Sequence, residues 1–116
     1  MKRLLLALPA LLLATPAQAT GGFTCRTAGP APVEVALGFG HTPGAPLFLT
    51  RLLDNGRNVA VRAPQWWLDN DELRLLLTDP SAVRREAIVR ARRNGSVYDG
   101  SLWRGGKRRW VRCRES

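Results

Sequence analysis

The sequence predicts an all-β domain, a small antiparallel β-barrel or sandwich of seven to eight strands closed by one disulfide. Short runs in which apolar and polar side chains alternate indicate strands with one buried face. Turn-forming pairs such as Asn55-Gly56 separate those runs. Cys25 and Cys113 lie near the two ends of the predicted domain. Closing such a sheet on itself removes exposed strand edges, which favours a barrel or sandwich.

Residues 1–19 have the pattern of a bacterial signal peptide. Two cations follow the first residue, the stretch 4–13 is almost wholly apolar, and a small-x-small pattern ends at Ala19. We therefore expect cleavage between Ala19 and Thr20, which leaves a single domain over 20–116 in the periplasm or outside the cell. The apolar stretch is too short to cross a bilayer, which takes roughly 20 residues, so we expect no membrane span.

The two cysteines are expected to pair, because thiols in a small exported chain oxidise together. Closing a loop of nearly ninety residues contributes about 4 to 5 kcal/mol in the chain-entropy treatment. Ordinary disulfide geometry predicts that the Cα atoms of Cys25 and Cys113 lie about 5 to 6 Å apart. Together with the single histidine, His41, they cannot by themselves supply the usual four ligands of zinc, so no metal or other cofactor is expected.

The first half of the predicted domain contains four stretches with strand patterns. Large apolar residues alternate with smaller or polar ones over 33–39, and two apolar runs, 47–53 and 59–63, flank an Asn-Gly pair. Both turn residues tolerate the positive φ of a type I′ turn, so these two runs are expected to form a hairpin. A further alternating strand covers 73–77 and ends before a proline, which has no N–H to donate.

Three runs near the C-terminus, at about 86–93, 97–104 and 107–114, are separated by Gly-containing turns. This spacing predicts an antiparallel meander. The first run has an alternative, because the Asp-Pro pair before it is also a good helix start and would place a helix over about 80–93. Alternation of apolar and charged residues in the run favours a strand, whereas a helix there would give an α+β fold.

Positive charge is concentrated at the C-terminal end of the chain. The formal net charge is +9, or +7 once Lys2 and Arg3 are removed with the signal peptide. Residues 20–83 carry a net −1 and residues 84–116 a net +8. Such a cluster indicates either a solvated surface or a site for an anionic partner. Export argues against nucleic acid as that partner, which leaves an anionic envelope component or an acidic protein.

Alternation along the last strand places part of this charge on one face. If Cys113 points inward to form the disulfide, Trp110 and the arginines two positions before and after it point outward. Strand pairing in the meander would bring two arginines of its first run into the same neighbourhood. The candidate binding face is therefore Arg90, Arg92, Arg108, Trp110 and Arg112. Guanidinium groups there would bind phosphate or carboxylate, and the indole would stack on a ring. The alternative is a solvated face without a ligand.

Trp66 and Trp67 form a second candidate contact. Neighbouring side chains of an extended chain point to opposite faces, so at most one of the two can enter the core. The other is expected at the surface or under the loop 64–71. An exposed indole stacks on sugars or anchors a partner, which makes the pair a candidate aromatic contact.

No motif in the sequence indicates catalysis. His41 lies in a loop of Gly, Thr and Pro, and spacing places no nucleophile or acid beside it. The chain has no nucleophile elbow, no phosphate-binding glycine loop and no two-histidine zinc motif. We therefore expect a non-enzymatic binding protein with no catalytic residue, and a small hydrolase that uses His41 is the remote alternative.

Both ends of the chain share features with a known family. These are the export signal, Phe23-Thr24-Cys25 at the domain start, alternating valines, a Gly-rich turn before the last strand and the closing Cys113. Together they resemble the small periplasmic β-barrel inhibitors of c-type lysozyme. That family's Ser-Gly-x-x-Tyr inhibitory motif is present in partial form at 95–98. The resemblance implies an eight-stranded barrel, an N-to-C disulfide and a loop that enters a lysozyme's catalytic cleft, so lysozyme inhibition is the alternative function.

Overall fold

The computed structural model describes residues 21–39 and 47–115, and these residues form nine β-strands and no helix. The predicted signal peptide and the loop that holds His41 lie outside the described residues. The strands are β1 Gly21–Thr27, β2 Val33–Phe39, β3 Leu47–Asp54, β4 Arg57–Val59, β5 Arg62–Leu68, β6 Glu72–Thr78, β7 Arg85–Asn94, β8 Val97–Arg104 and β9 Lys107–Glu115. The prediction of an all-β fold is confirmed.

All nine strands belong to one antiparallel sheet, in the order β4-β3-β2-β1-β9-β8-β7-β6-β5. Two meanders, β1 to β4 and β5 to β9, are therefore joined by the pairing of β1 with β9. The sheet curls into a half-barrel, and within the described residues no ladder joins its edge strands β4 and β5. The prediction of a closed sheet of seven to eight strands is wrong in both the strand number and the closure.

The edge strands explain this difference. β4 is three residues long and pairs with β3, so it offers only a short edge to β5. The sequence of β5 was interpreted as a loop over 64–71, because Pro64 and two adjacent tryptophans interrupt the alternation. Pro64 instead lies where the register shifts between Arg62 and Gln65. On an edge strand with such an irregularity, the missing N–H of proline breaks little of the ladder.

The core lies on the concave side of the half-barrel, where alternate side chains of the long strands point inward. Its fully buried large side chains include Val35, Leu52, Leu73, Leu77, Val89, Leu102 and Val111. Full burial of one such side chain contributes about 1.5 to 3 kcal/mol. Because the period along a strand is two, burial of this set leaves the intervening side chains on the convex side, which we call the outer face.

The two turn predictions that set strand order are confirmed. Asn55 and Gly56 join β3 to β4 with φ values of 53° and 82°, the left-handed conformation that a type I′ turn requires. At the C-terminal end, β7, β8 and β9 pair as consecutive antiparallel strands. The meander therefore brings the charged residues of β7 and β9 to either side of β8.

The alternative helix over about 80–93 is wrong, because residues 85–94 form β7. Asp79 instead organises the loop between β6 and β7. Its Oδ1 accepts the backbone N–H groups of Val83 at 2.8 Å and Arg84 at 2.7 Å. The signal that resembles a helix start therefore organises a tight loop in which Ala82 has a φ of 58°. None of the described segments is a helix with the length and apolar character that crossing a membrane requires.

The predicted disulfide is confirmed between Cys25 of β1 and Cys113 of β9. The two residues are direct partners in the antiparallel ladder, so the bond crosses the junction between the two meanders. Their Cα atoms are 3.9 Å apart, closer than the 5 to 6 Å that we expected. The difference arises because directly opposite residues in an antiparallel pair approach more closely than average disulfide partners do.

Candidate functional site

The outer face of β7 and β9 holds all five residues of the predicted binding face. On β9, Val111 and Cys113 are buried and the alternate residues are exposed, as the inward-facing cysteine predicts. On β7, Val89 and Ala91 are buried and the residues after them are exposed. The exposed residues are Arg90 and Arg92 on β7 and Arg108, Trp110 and Arg112 on β9.

One straight row of side chains crosses five strands on this side of the sheet. The strand register places in it, from β5 to β9, Trp67, Arg74, Arg90, Ser101 and Trp110. We call these five residues the cross-strand row. It has an indole at each end and no acidic residue, and the two tryptophans are 51% and 54% exposed. The structure thus aligns one member of the predicted Trp66-Trp67 contact with two members of the predicted arginine face.

Arg112 is compensated by a residue that the sequence did not single out. Asp99 on β8 lies opposite Arg112 in the register. The Nε and Nη2 atoms of Arg112 donate to the two carboxylate oxygens at 2.6 and 2.9 Å. These hydrogen bonds lower the pKa of Asp99 below its usual value and raise the pKa of Arg112. Arg112 therefore adds little net charge to the face.

Arg108 makes a hydrogen bond to a neutral partner, which does not offset its positive charge. Its Nε donates to the Oγ of Ser101 at 2.8 Å. Beside it, Trp110 borders a groove of about 620 Å³ on the β1 side, whose lining includes Arg26, Arg114 and Glu115. Arg26 contacts Glu34 at 3.4 Å, so this second groove is partly balanced in charge.

Arg90 and Arg92 are the two members of the predicted face whose guanidinium groups have no partner. Within the described part of the chain, neither side chain makes a hydrogen bond or an ion pair. Arg92 has Glu72 and Asp99 as its register partners on β6 and β8, so acids lie to either side of it. Arg90 has Arg74 and Ser101 in the same positions, and no acid lies beside it in the ladder.

Trp66 and Trp67 take opposite sides of β5, as neighbouring residues in a strand do. Trp66 pairs with the buried Leu75 and places its ring 5.3 Å from that of Phe39, although 38% of the residue stays exposed. Trp67 faces outward, where its Nε1 donates to Oδ2 of Asp69 at 2.8 Å. The prediction that at most one of the pair enters the core agrees with this arrangement.

Contacts with β6 and with the turn that follows β5 hold Trp67 in place. The guanidinium carbon of Arg74 lies 5.9 Å from the centre of its ring, within cation–π range. Asp69 is itself anchored, because its Oδ1 accepts the backbone N–H groups of Asp71 at 2.7 Å and Glu72 at 2.8 Å. These backbone hydrogen bonds, followed by that of Trp67, lower the pKa of Asp69. The carboxylate therefore stays charged and shapes the turn before β6.

The acids of this turn do not converge on a cation. The oxygens of Asp69 are occupied by N–H donors. Among the residues that the structure describes, no three His, Cys, Asp or Glu side chains gather as metal ligands would. The stretch forms a turn in which Asp69 positions Trp67.

A groove of about 500 Å³ opens on the outer face between β5, β6 and β7. The residues that shape it include Trp67, Arg74, Leu76, Arg85, Ile88 and Arg90. Of the predicted face, only Arg90 belongs to it. Sequence reasoning missed Arg74, because its place beside Arg90 depends on the register of β6 against β7, and it missed Arg85, the first residue of β7. The alternation of β6 was a usable signal, since it places Arg74 on the side opposite its buried leucines.

The chain matches no known family model, no curated protein and no solved structure.

Proposed function

We propose that this protein is a non-enzymatic binding protein of the bacterial envelope that takes an anionic partner on the outer face of β5 to β9. The observation that carries the proposal is the cross-strand row, in which Arg74 and Arg90 lie between two exposed indoles with no acid in line. Planar guanidinium groups bind phosphate or carboxylate through paired hydrogen bonds. The indoles add stacking area at each end of the row.

Charge supports this part of the face over the rest of the surface. Arg112 is neutralised by Asp99, and Arg26 contacts Glu34. Arg90 has no such partner among the described residues. An anion that binds there meets a guanidinium group that is not paired with a carboxylate, so no competing negative charge weakens the attraction. We therefore place the centre of the proposed site at Arg90 on β7 rather than at Arg112 on the last strand.

Rigidity also supports a binding role. Trp67 is held by Asp69 and Arg74, and the strands beneath it are continuously paired. Side chains that are positioned before the ligand arrives lose less conformational entropy on binding. Strands stapled by a disulfide thus provide a preformed surface rather than one that must order around its ligand.

Two observations support the proposed compartment. The disulfide between Cys25 and Cys113 fits an oxidising environment. The pattern over residues 1–19 predicts export, with cleavage between Ala19 and Thr20. In the envelope, the anionic partners available are phosphorylated or acidic components and acidic proteins, and we expect no nucleic acid there.

The test is capture of envelope material by the immobilised, oxidised domain over 20–116. We expect capture that weakens as salt rises from about 50 to 500 mM, because exposed charges are screened over that range. Replacing Arg90 and Arg92 by Ser should abolish most of it. The matched control replaces Arg51 and Arg57 by Ser, two exposed arginines on β3 and β4 that change net charge equally. Equal loss in both double variants would reduce the effect to net charge and overturn the proposal.

Inhibition of c-type lysozyme is the second candidate, and the disulfide that joins β1 to β9 in an all-β half-barrel supports it. Tyr98 of the partial motif is buried, and its hydroxyl donates to the carbonyl of Asp69 at 2.6 Å. The side chain of Tyr98 therefore packs in the hydrophobic core. The test is the rate at which a c-type lysozyme clears a cell-wall suspension with and without an equimolar amount of the domain. A slower rate would favour this candidate over anion capture.

A further inference from the structure

The groove between β5, β6 and β7, which we call the β6 groove, combines three cations with apolar surface. Arg74, Arg85 and Arg90 border it, and its lining contains no Asp or Glu. The side chains of Arg85 and Arg90 make no hydrogen bond or ion pair within the described residues. Arg74 contacts the ring of Trp67 and forms a 3.4 Å ion pair with Glu72, which lies outside the lining. Arg74 and Arg90 are register partners on β6 and β7, so their like charges lie side by side and are stabilised together by an anion with more than one charge.

The apolar part of the β6 groove lies on the same side of the sheet. Leu76 and Ile88 are register partners on β6 and β7, and both are half-buried. Trp67 borders the groove and is held by its hydrogen bond to Asp69. A small inorganic anion has no group to place against these three side chains. Their position favours a ligand that carries organic surface next to its charge.

We infer that the β6 groove binds a phosphate monoester. The phosphate lies against Arg74 and Arg90, and the organic group lies against Trp67 and against the next register pair on the same face, Leu76 and Ile88. A phosphate monoester fits better than a carboxylate, because near pH 7 it carries between about 1.5 and 2 charges on three acceptor oxygens. These oxygens can accept hydrogen bonds from both guanidinium groups at once. The inference rests on the proposed function, since it names the ligand class for the same outer face.

The test uses two soluble probes, inorganic phosphate and phenyl phosphate, titrated into the oxidised domain over 20–116 by calorimetry. We expect phenyl phosphate to bind about tenfold more tightly, because burial of the ring adds an apolar contribution of at least 1.4 kcal/mol, the equivalent of that factor. Arg90→Gln should weaken both probes about tenfold. Ile88→Ser should weaken phenyl phosphate alone. The control Arg51→Gln, an exposed arginine on β3, should change neither.

A second variant covers the event that Ile88→Ser disturbs the sheet. Gln65 is exposed, lies on the edge strand β5 and belongs to the groove lining. Gln65→Glu adds a negative charge there without removing core surface, and it should weaken both probes through repulsion. A thermal midpoint equal to that of the wild type establishes that the variant is folded. Unchanged affinity of both probes in folded Gln65→Glu would overturn the inference.

Two sources of such an ester are distinguished by vesicles of phosphatidylcholine with and without phosphatidic acid. Binding to the phosphatidic acid vesicles that phenyl phosphate displaces identifies a lipid source, and binding of phenyl phosphate alone identifies a soluble ester. Both outcomes support the monoester. Equal affinity for the two probes would overturn it. If neither probe binds while capture of envelope material still depends on Arg90 and Arg92, this inference fails and the proposed function stands. If that capture also fails, both fall.

Discussion

Arg104 at the end of β8 reaches across the concave side of the half-barrel to Asp54 at the end of β3. Its Nε lies 2.9 Å from Oδ2 of Asp54, and its Nη1 donates to both the backbone and the side-chain oxygen of Glu86 at 3.0 Å. The Arg104 side chain is 20% exposed. The two strands are not neighbours in the sheet, so this ion pair links the two meanders at a place where no ladder joins them.

The Arg104–Asp54 pair is expected to contribute to stability. Asp54→Asn removes a charged acceptor from the partly buried Arg104, which then keeps only its hydrogen bonds to Glu86, so the free energy of unfolding should fall by about 1 to 3 kcal/mol. A double-mutant cycle with Arg104→Met isolates the pairwise energy by urea unfolding. The control pair is Arg26 and Glu34, which is more exposed and should couple by less than about 1 kcal/mol. Equal coupling in the two pairs would contradict a link between the meanders.

Replacing both Cys25 and Cys113 by Ser should lower the thermal midpoint by at least several degrees. The bridge spans 88 residues of sequence, so its loss releases much entropy in the unfolded chain. The measurement is a calorimetric scan of the oxidised wild type, the reduced wild type and the variant. The reduced protein and the variant should have similar midpoints. An unchanged midpoint in both would count against stabilisation by the disulfide.

Gly100 is expected to tolerate no side chain. A Cβ there would lie against the carbonyl oxygen of Arg90 and 2.6 Å from the Cα of Ala91, so β7 would have to move away from β8. Gly100→Ala should therefore cost about 1 to 3 kcal/mol, as overpacking does. Gly21→Ala is the control, because nothing lies within 4 Å of a Cβ built there. Chemical unfolding of both variants measures the difference, and similar midpoints would show that β7 and β8 separate easily.

Acid should destabilise the protein through carboxylates whose pKa is lowered in the folded state. Hydrogen bonds from the backbone, with that of Arg84 the largest cause, lower the pKa of Asp79, and hydrogen bonds from Arg112 lower that of Asp99. A lowered folded pKa gives stability that is present above the unfolded value near 3.9 and is lost as pH falls below it. Thermal midpoints should therefore drop between about pH 5 and pH 2.

The same titration in two Asn variants assigns the acid effect. Asp79→Asn should flatten the decline, since the amide cannot regain the charge that accepts three N–H donors. Asp71→Asn should leave it unchanged, because the carboxylate of Asp71 makes no hydrogen bond among the described residues. Parallel curves for Asp79→Asn and the wild type would place the acid sensitivity elsewhere.

Asp99→Asn is expected to strengthen capture of the anionic partner. The change removes the carboxylate that neutralises Arg112 and so adds one unit of positive charge beside the cross-strand row. The gain should be largest at low salt, because screening shortens the range of the new charge. Glu34→Gln is the matched control, since it removes an acid from β2 at the other side of β1. An equal gain from both variants would point to net charge rather than to the face.

Local patterns predicted much of the fold. Alternation along β7 and β9 correctly identified which side chains are buried, because the period of a strand is two whatever its neighbours are. The Asn55-Gly56 hairpin followed from the φ values that these two residues tolerate. β5 was missed because Pro64 and the tryptophans hide the alternation. Whether an edge strand tolerates a proline depends on which backbone groups its neighbours hydrogen-bond, and that pairing exists only in the folded sheet.

The sequence by itself determined the pairing of two cysteines, the strand period and the presence of an arginine-rich outer side. Only the tertiary structure decided which of these arginines pair with acids and which side chains lie beside the others. Register across separate strands places Asp99 on Arg112 and aligns Trp67 with Arg90, and it brings Arg74 beside them. The physical reason is that periodicity along one strand is a local property, whereas the neighbours of a charge depend on strands that meet only in the folded sheet.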